Sequence, residues 1–185
     1  MEEYVTGKSN PNKEVDFDPV ESGYYQVAVV NAEIDDQESN LIVDLEIIAG
    51  TKESEIGKTH REWFSLNAKE GNRKKRLKLA TVCDQCTPEQ IDSAEKNGWA
   101  LKIDYLAITR KHFVCELQKK QKMGQNEYGE YKIPTGDYRT QIPYSNMWHI
   151  DSDACHKKGV KVDRSKIDAD PFGSPPEEEA PKSDF

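Results

Sequence analysis

The sequence predicts a mainly β domain with a helical insertion, and three observations lead there. Apolar and polar residues alternate with the two-residue period of a strand from Gly23 and again from Leu41. A helix-start signal, Thr87-Pro88-Glu89-Gln90, stands inside a stretch with helical spacing. Strand-like alternation then resumes near residue 111.

Residues 1–20 are polar, contain Pro11 and Pro19, and read as an arm. In the first strand Tyr25, Val27 and Val29 alternate with Tyr24, Gln26 and Ala28. Residues 35–40 form a polar turn. Leu41, Val43, Leu45 and Ile47 then alternate with Ile42, Asp44, Glu46 and Ile48, so one face is wholly apolar and the other mixed. A sheet with one buried side has this pattern. After a loop at residues 50–57, a third strand over residues 58–66 sends Phe64 and Leu66 to one face. Arg61, Trp63 and Ser65 go to the other, which sets a tryptophan beside an arginine.

Helical spacing follows around residues 73–83, with Leu77, Leu79 and Val82 as the buried stripe. The second helix starts at the Thr87 cap and ends near Asn97-Gly98. Residues 99–106 add a short helix or turn. A strand over residues 111–119 puts Phe113, Cys115 and Leu117 on one face. Residues 120–130 are a loop or hairpin tip, residues 131–133 a short strand, and residues 141–150 a last strand around Trp148.

Three strands, a helical segment and two closing strands is the connectivity of the OB-fold, a five-stranded Greek-key barrel with its helix between strands 3 and 4. The chain also resembles the phage-encoded single-stranded DNA-binding proteins. GYYQVAVVNAEI, GKTHREWFSL leading into a helix, and FVCELQKK followed by a long loop ending in a tyrosine carry the resemblance, together with an acidic tail. It implies an arm at residues 1–20, an OB-fold DNA-binding domain at 21–150, a basic linker at 151–166 and a disordered tail at 167–185. Bacterial members of this class end in Pro-Phe and phage counterparts can end in Asp-Phe, as Asp184-Phe185 does here.

The net charge of −8 argues against nucleic acid until its distribution is read. Residues 1–20 carry five acids and two bases and residues 167–185 six acids and one base, so residues 21–166 balance at 23 of each sign. Within that neutral body the bases cluster: six against one acid at residues 69–78, five against one at 110–122, and five against one at 156–166. The tail has no apolar periodicity and cannot offset its ordering entropy by burial. Its expected role is to hook replication or recombination proteins, with the terminal Phe185 ring filling an apolar pocket and Phe172 among the contacting residues. Asp170, Glu177, Glu178, Glu179 and Asp184 then meet surrounding cations.

Sequence-independent binding of single strands needs cations for phosphates and ring faces for unpaired bases. The third strand offers Lys58, Arg61 and Trp63. The region between the last strands offers Lys119, Lys120 and Lys122, then Tyr128, Tyr131 and Lys132, then Tyr138 and Arg139. Interleaved with Gly124, Gly129 and Gly136, these residues describe a mobile clamp. Trp63 is open to a second reading, as a core residue under the helix. The basic run at residues 73–78 also reads as a solvated helix face, and His156-Lys157-Lys158 as either a tail dock or an extension of the DNA track.

Cys83 and Cys86 form a lone CxxC, and only Cys115, Cys155 and His156 could complete a zinc set, so no metal or other cofactor is expected. The four cysteines read as reduced thiols. No glycine-rich phosphate loop, HExxH or nucleophile elbow is present, so no enzymatic activity is expected. Asp44, Glu46 and Glu62 read as strand-surface acids. No apolar run approaches the ~20 residues of a membrane span, and the N-terminal residues lack an apolar segment, so a cytoplasmic location is expected, the host's if the protein is viral. A homo-oligomer is among the states the sequence permits. The rival to a DNA coat is an OB-like interaction module whose acidic segments mimic DNA toward a host factor; a DNA-processing enzyme ranks behind both.

Overall fold

The alternating segments find their partners in the computed structural model, which describes residues 18–167. β1 (Gly23–Ile34) and β2 (Asn40–Gly50) pair antiparallel across a turn in which the Asp35 carboxylate accepts from the backbone N–H groups of Ser39 and Asn40. β3 (Thr59–Ser65) pairs with the far edge of β2. Two helices follow, α1 (Glu70–Val82) and α2 (Pro88–Asn97). β4 (His112–Gln125) then returns beside β1, and both β5 (Tyr131–Gln141) and the short β6 (Met147–His149) pair with β4.

The domain is mainly β with helices between its third and fourth strands. Two features differ from expectation. The fourth strand runs on to Gln125 and the short strand expected at residues 131–133 runs on to Gln141, while the strand expected at 141–150 shrinks to β6. Six strands therefore stand among the described residues where a five-stranded barrel was expected. The strand order is β3-β2-β1-β4-β5, and no ladder joins β3 to β5, so the sheet is open where a closed barrel was expected.

Tyr25, Val27, Leu45, Ile47, Phe113 and Leu117 line the inner face and are fully buried, and α1 lays Leu79 and Val82 over them. Each such side chain contributes about 1.5–3 kcal/mol on burial. Leu77, expected in the stripe, stays half-buried while Ala80 takes its place. The packing is close at Gly50, where an added Cβ would strike the Tyr25 ring and the Tyr24 carbonyl. α2 begins as its sequence dictates. Thr87 accepts from the Gln90 N–H, the Gln90 side chain accepts from the Thr87 N–H, and Gly98 closes the helix at φ +68°.

The second face of β1 and β4 is covered too. Residues 151–166, expected as a linker, fold back over it through α3 (Asp153–Lys157) and a 3₁₀ turn. Cys155 and Val160 pack on Val114, beside Tyr24, Trp148 and Val162. Gln26, fully buried, gives its side-chain N–H to the Asp163 carbonyl at 3.1 Å and accepts from the Asp163 N–H at 2.6 Å. That two-way bond imitates a strand pairing and fixes the segment. No helix among the described residues is long and apolar enough to cross a membrane.

Candidate nucleic-acid interface

Beyond Leu117, β4 leaves the core and continues with β5 as a two-stranded ribbon. Eight of the eleven residues expected to bind nucleic acid lie on it or at its tip. The expected mobile loop is therefore a paired hairpin. Gly124 and Gly136 lie within strands, and the tip is tied by the Asn126 side chain, whose carbonyl accepts from the N–H groups of Tyr128 and Glu130 at 3.0 and 2.9 Å.

The register fixes which side chains share a face. Lys120 stands directly opposite Arg139, while Lys119 faces Thr140 and Gln121 faces Tyr138 on the other side. Lys120 and Arg139 are exposed, and like Lys122 they form no ion pair with any described residue. A bulge separates Gln121 from Met123, and beyond it Tyr131 faces Gln125. Tyr128, Tyr131 and Tyr138 expose 81%, 69% and 48% of their surface. The ribbon thus carries the opposed Lys120 and Arg139 on one side, Tyr138 beside Lys119 on the other, and Tyr128 and Tyr131 at and next to its tip.

The remaining cations are engaged. Lys119 pairs with Glu21 and reaches over the Tyr138 ring, 5.3 Å from its centroid. The Glu21 hydrogen bond raises the Lys119 pKa, and the same bond lowers that of Glu21. Lys132 pairs with Glu130 at 2.8 Å. Lys58, just before β3, pairs with buried Glu55 at 2.9 Å, and Glu55 also accepts from the Glu21 N–H.

On β3, Trp63 is 55% exposed, which resolves its two readings in favour of an outward ring. It shares a cross-strand row with Ile42 and Glu33. Arg61 forms a two-pronged bond with Asp44, Nε to Oδ1 at 2.7 Å and Nη2 to Oδ2 at 2.9 Å. That bond raises the guanidinium pKa, with nearby Glu33 adding to the effect. With Glu46 in the next row, the outer face of β1 to β3 is acidic around a single arginine.

Glu62 corrects the expectation of a strand-surface acid. It points inward and is buried. One carboxylate oxygen accepts from Lys75 Nζ at 2.7 Å; the other bonds His60 Nε2 at 2.8 Å and accepts from the Ile142 N–H at 2.9 Å. Burial alone would raise its pKa, but His60 and Lys75 together hold it below the ordinary carboxylate value. Because Ile142 follows β5, this carboxylate draws the foot of the ribbon to β3. Lys75 also donates to the Ile142 carbonyl, and Arg76 donates to the Ser65 and Asn67 carbonyls. The basic run on α1 therefore helps bind helix to sheet. Lys158 is likewise engaged, 5.2 Å from the Tyr24 ring and 5.4 Å from that of Trp148.

All four cysteines are buried, and burial pushes the Cys83 thiol up to about 12. Among the described residues no three potential metal ligands gather. The tail residues Asp170, Phe172, Glu177, Glu178, Glu179, Asp184 and Phe185 lie outside the described residues. The signal that sequence reading missed was availability: Glu21 neutralises Lys119 from 98 positions away, and Glu55 neutralises Lys58 from the turn just before β3. No protein-family model matches the sequence, and no curated protein does.

Proposed function

We propose that the chain is a single-stranded DNA-binding protein of the phage type, a coat for exposed strands in DNA replication, recombination and repair rather than an enzyme. The observation that carries this reading is the Lys120–Arg139 pair. Like charges directly opposed on a ribbon destabilise it, and neither residue has an acid partner among the described residues. A phosphate backbone supplies the missing anion, and Tyr128, Tyr131 and Tyr138 offer faces for unpaired bases.

The finer fold assignment belongs to the same proposal. The order β3-β2-β1-β4-β5 is that of an OB barrel parted between β3 and β5, and the bond from Ile142 to Glu62 spans that seam. Lys122 adds an exposed cation, and Trp63 gives a ring on the barrel's outer side. Acting in the cytoplasm, host cytoplasm for a phage protein, the chain would use its acidic tail to recruit replication or recombination proteins.

A second reading draws on Glu33, Asp44 and Glu46 around Arg61. An acidic outer face with one exposed tryptophan suits a basic protein partner better than a phosphate backbone. Titration with poly-dT at two salt concentrations, followed by intrinsic fluorescence, separates the two. The DNA-coating reading expects quenching that weakens steeply with salt. Fluorescence that ignores the polymer at low salt rejects it and favours the interaction module.

A further inference from the structure

Glu21 occupies one of the ribbon's cations. Its carboxylate meets Lys119 Nζ, the cation that also covers the Tyr138 ring. The backbone around Glu21 is fixed on every side. Its N–H donates to Glu55 at 3.2 Å, its carbonyl accepts from the Tyr25 hydroxyl at 2.8 Å, and the preceding Val20 is fully buried. Ser22 accepts from the Lys119 N–H at 2.9 Å, and the Val20 carbonyl accepts from the Thr140 hydroxyl at 2.6 Å. The main chain is thus clamped to the foot of the ribbon, while the Glu21 side chain remains 45% exposed and able to turn away.

We propose that Glu21 is a built-in competitor that occupies Lys119 until a nucleic-acid phosphate displaces it. This rests on the DNA-binding reading and specifies how that site is regulated. In the free protein Glu21 neutralises Lys119 and leaves Lys120, Lys122 and Arg139 to make first contact. As a strand seats, one of its phosphates takes Lys119 and the Glu21 carboxylate swings into water. Lys119 stays over the Tyr138 ring in both states, so a base stacked there lies next to the exchanged cation. The exchange lowers affinity for short or weakly charged ligands and favours strands long enough to engage the outer cations first.

The test is a double-mutant cycle read as affinity for oligothymidine at fixed low salt, with Lys120→Ala as a control. Glu21→Gln should tighten binding about twofold or more. Lys119→Ala should cost little in the wild-type chain but remove the whole gain in the Glu21→Gln background. If Glu21→Gln leaves affinity unchanged or weakens it while Lys120→Ala weakens it, the competitor idea is wrong and the DNA-binding reading stands. If the Glu21→Gln gain persists without Lys119, it reflects general charge and overturns the exchange. If the wild-type chain ignores oligothymidine, both proposals fall together.

Discussion

β3 and the ribbon are alike in composition, each mixing cations with exposed aromatics, and the structure treats them oppositely. On β3 the charges are turned to holding the molecule together. Arg61 is locked to Asp44, and Glu62 joins β3 to α1 and to the foot of β5. On the ribbon, Lys120, Lys122 and Arg139 stand in solvent with no ion partner among the described residues. Residue type is legible in a sequence, whereas availability depends on which acids the fold brings near.

Substitutions can break this contrast, and the largest effect should come from the β3 side. Glu62→Ala strands Lys75 against the sheet and should cost about 3 kcal/mol or more of stability, measured by urea denaturation. Should it cost under about 1 kcal/mol, the network is not structural. The pH dependence of the same residue has a definite sign. Its pKa is lowered on folding, so its contribution is present above the ordinary carboxylate range and drains away as pH falls through the lowered value. Thermal unfolding of the wild type should therefore fall more steeply on acidification than that of Glu62→Gln, and parallel curves would contradict the assignment.

Ring truncation on the ribbon comes next. Tyr131→Ala or Tyr138→Ala should each weaken oligothymidine binding by about 1–3 kcal/mol with little change in unfolding temperature, since both rings are exposed. Arg61→Ala should have the smallest effect. The Arg61 guanidinium is already committed to buried Asp44, so oligothymidine affinity should change less than twofold. A larger loss of affinity would return β3 to the binding surface and dissolve the contrast.

The legible parts of the fold are those whose cause is local. The alternation at Tyr25, Val27 and Val29 and at Leu41, Val43 and Leu45 marks buried strand faces, and all six side chains are buried. The Thr87-Pro88-Gln90 signal starts α2 where it stands because both halves of the capping box lie within four residues. β5 was hidden. Pro134 and Gly136 interrupt it, and its strand conformation comes from pairing with β4 and not from its own propensity. The inward turn of Glu62 was hidden for a related reason, since Lys75 and Ile142 are separated from it by 13 and 80 positions. The candidate site was legible as a set of residue types along the ribbon. That Lys120 and Arg139 stand opposed, on the side away from Tyr138, needed the register.

The most direct test of the central claim compares the salt dependence of oligothymidine affinity in the wild type with that in a Lys120→Ala, Arg139→Ala double variant. Two lost phosphate contacts on a single strand should flatten the slope of log K against log salt by about 1.4. The unfolding temperature should hold or rise as the cross-strand repulsion is relieved. An unchanged slope in a folded double variant would contradict the account, because the two cations would then face water for some purpose other than binding a phosphate backbone.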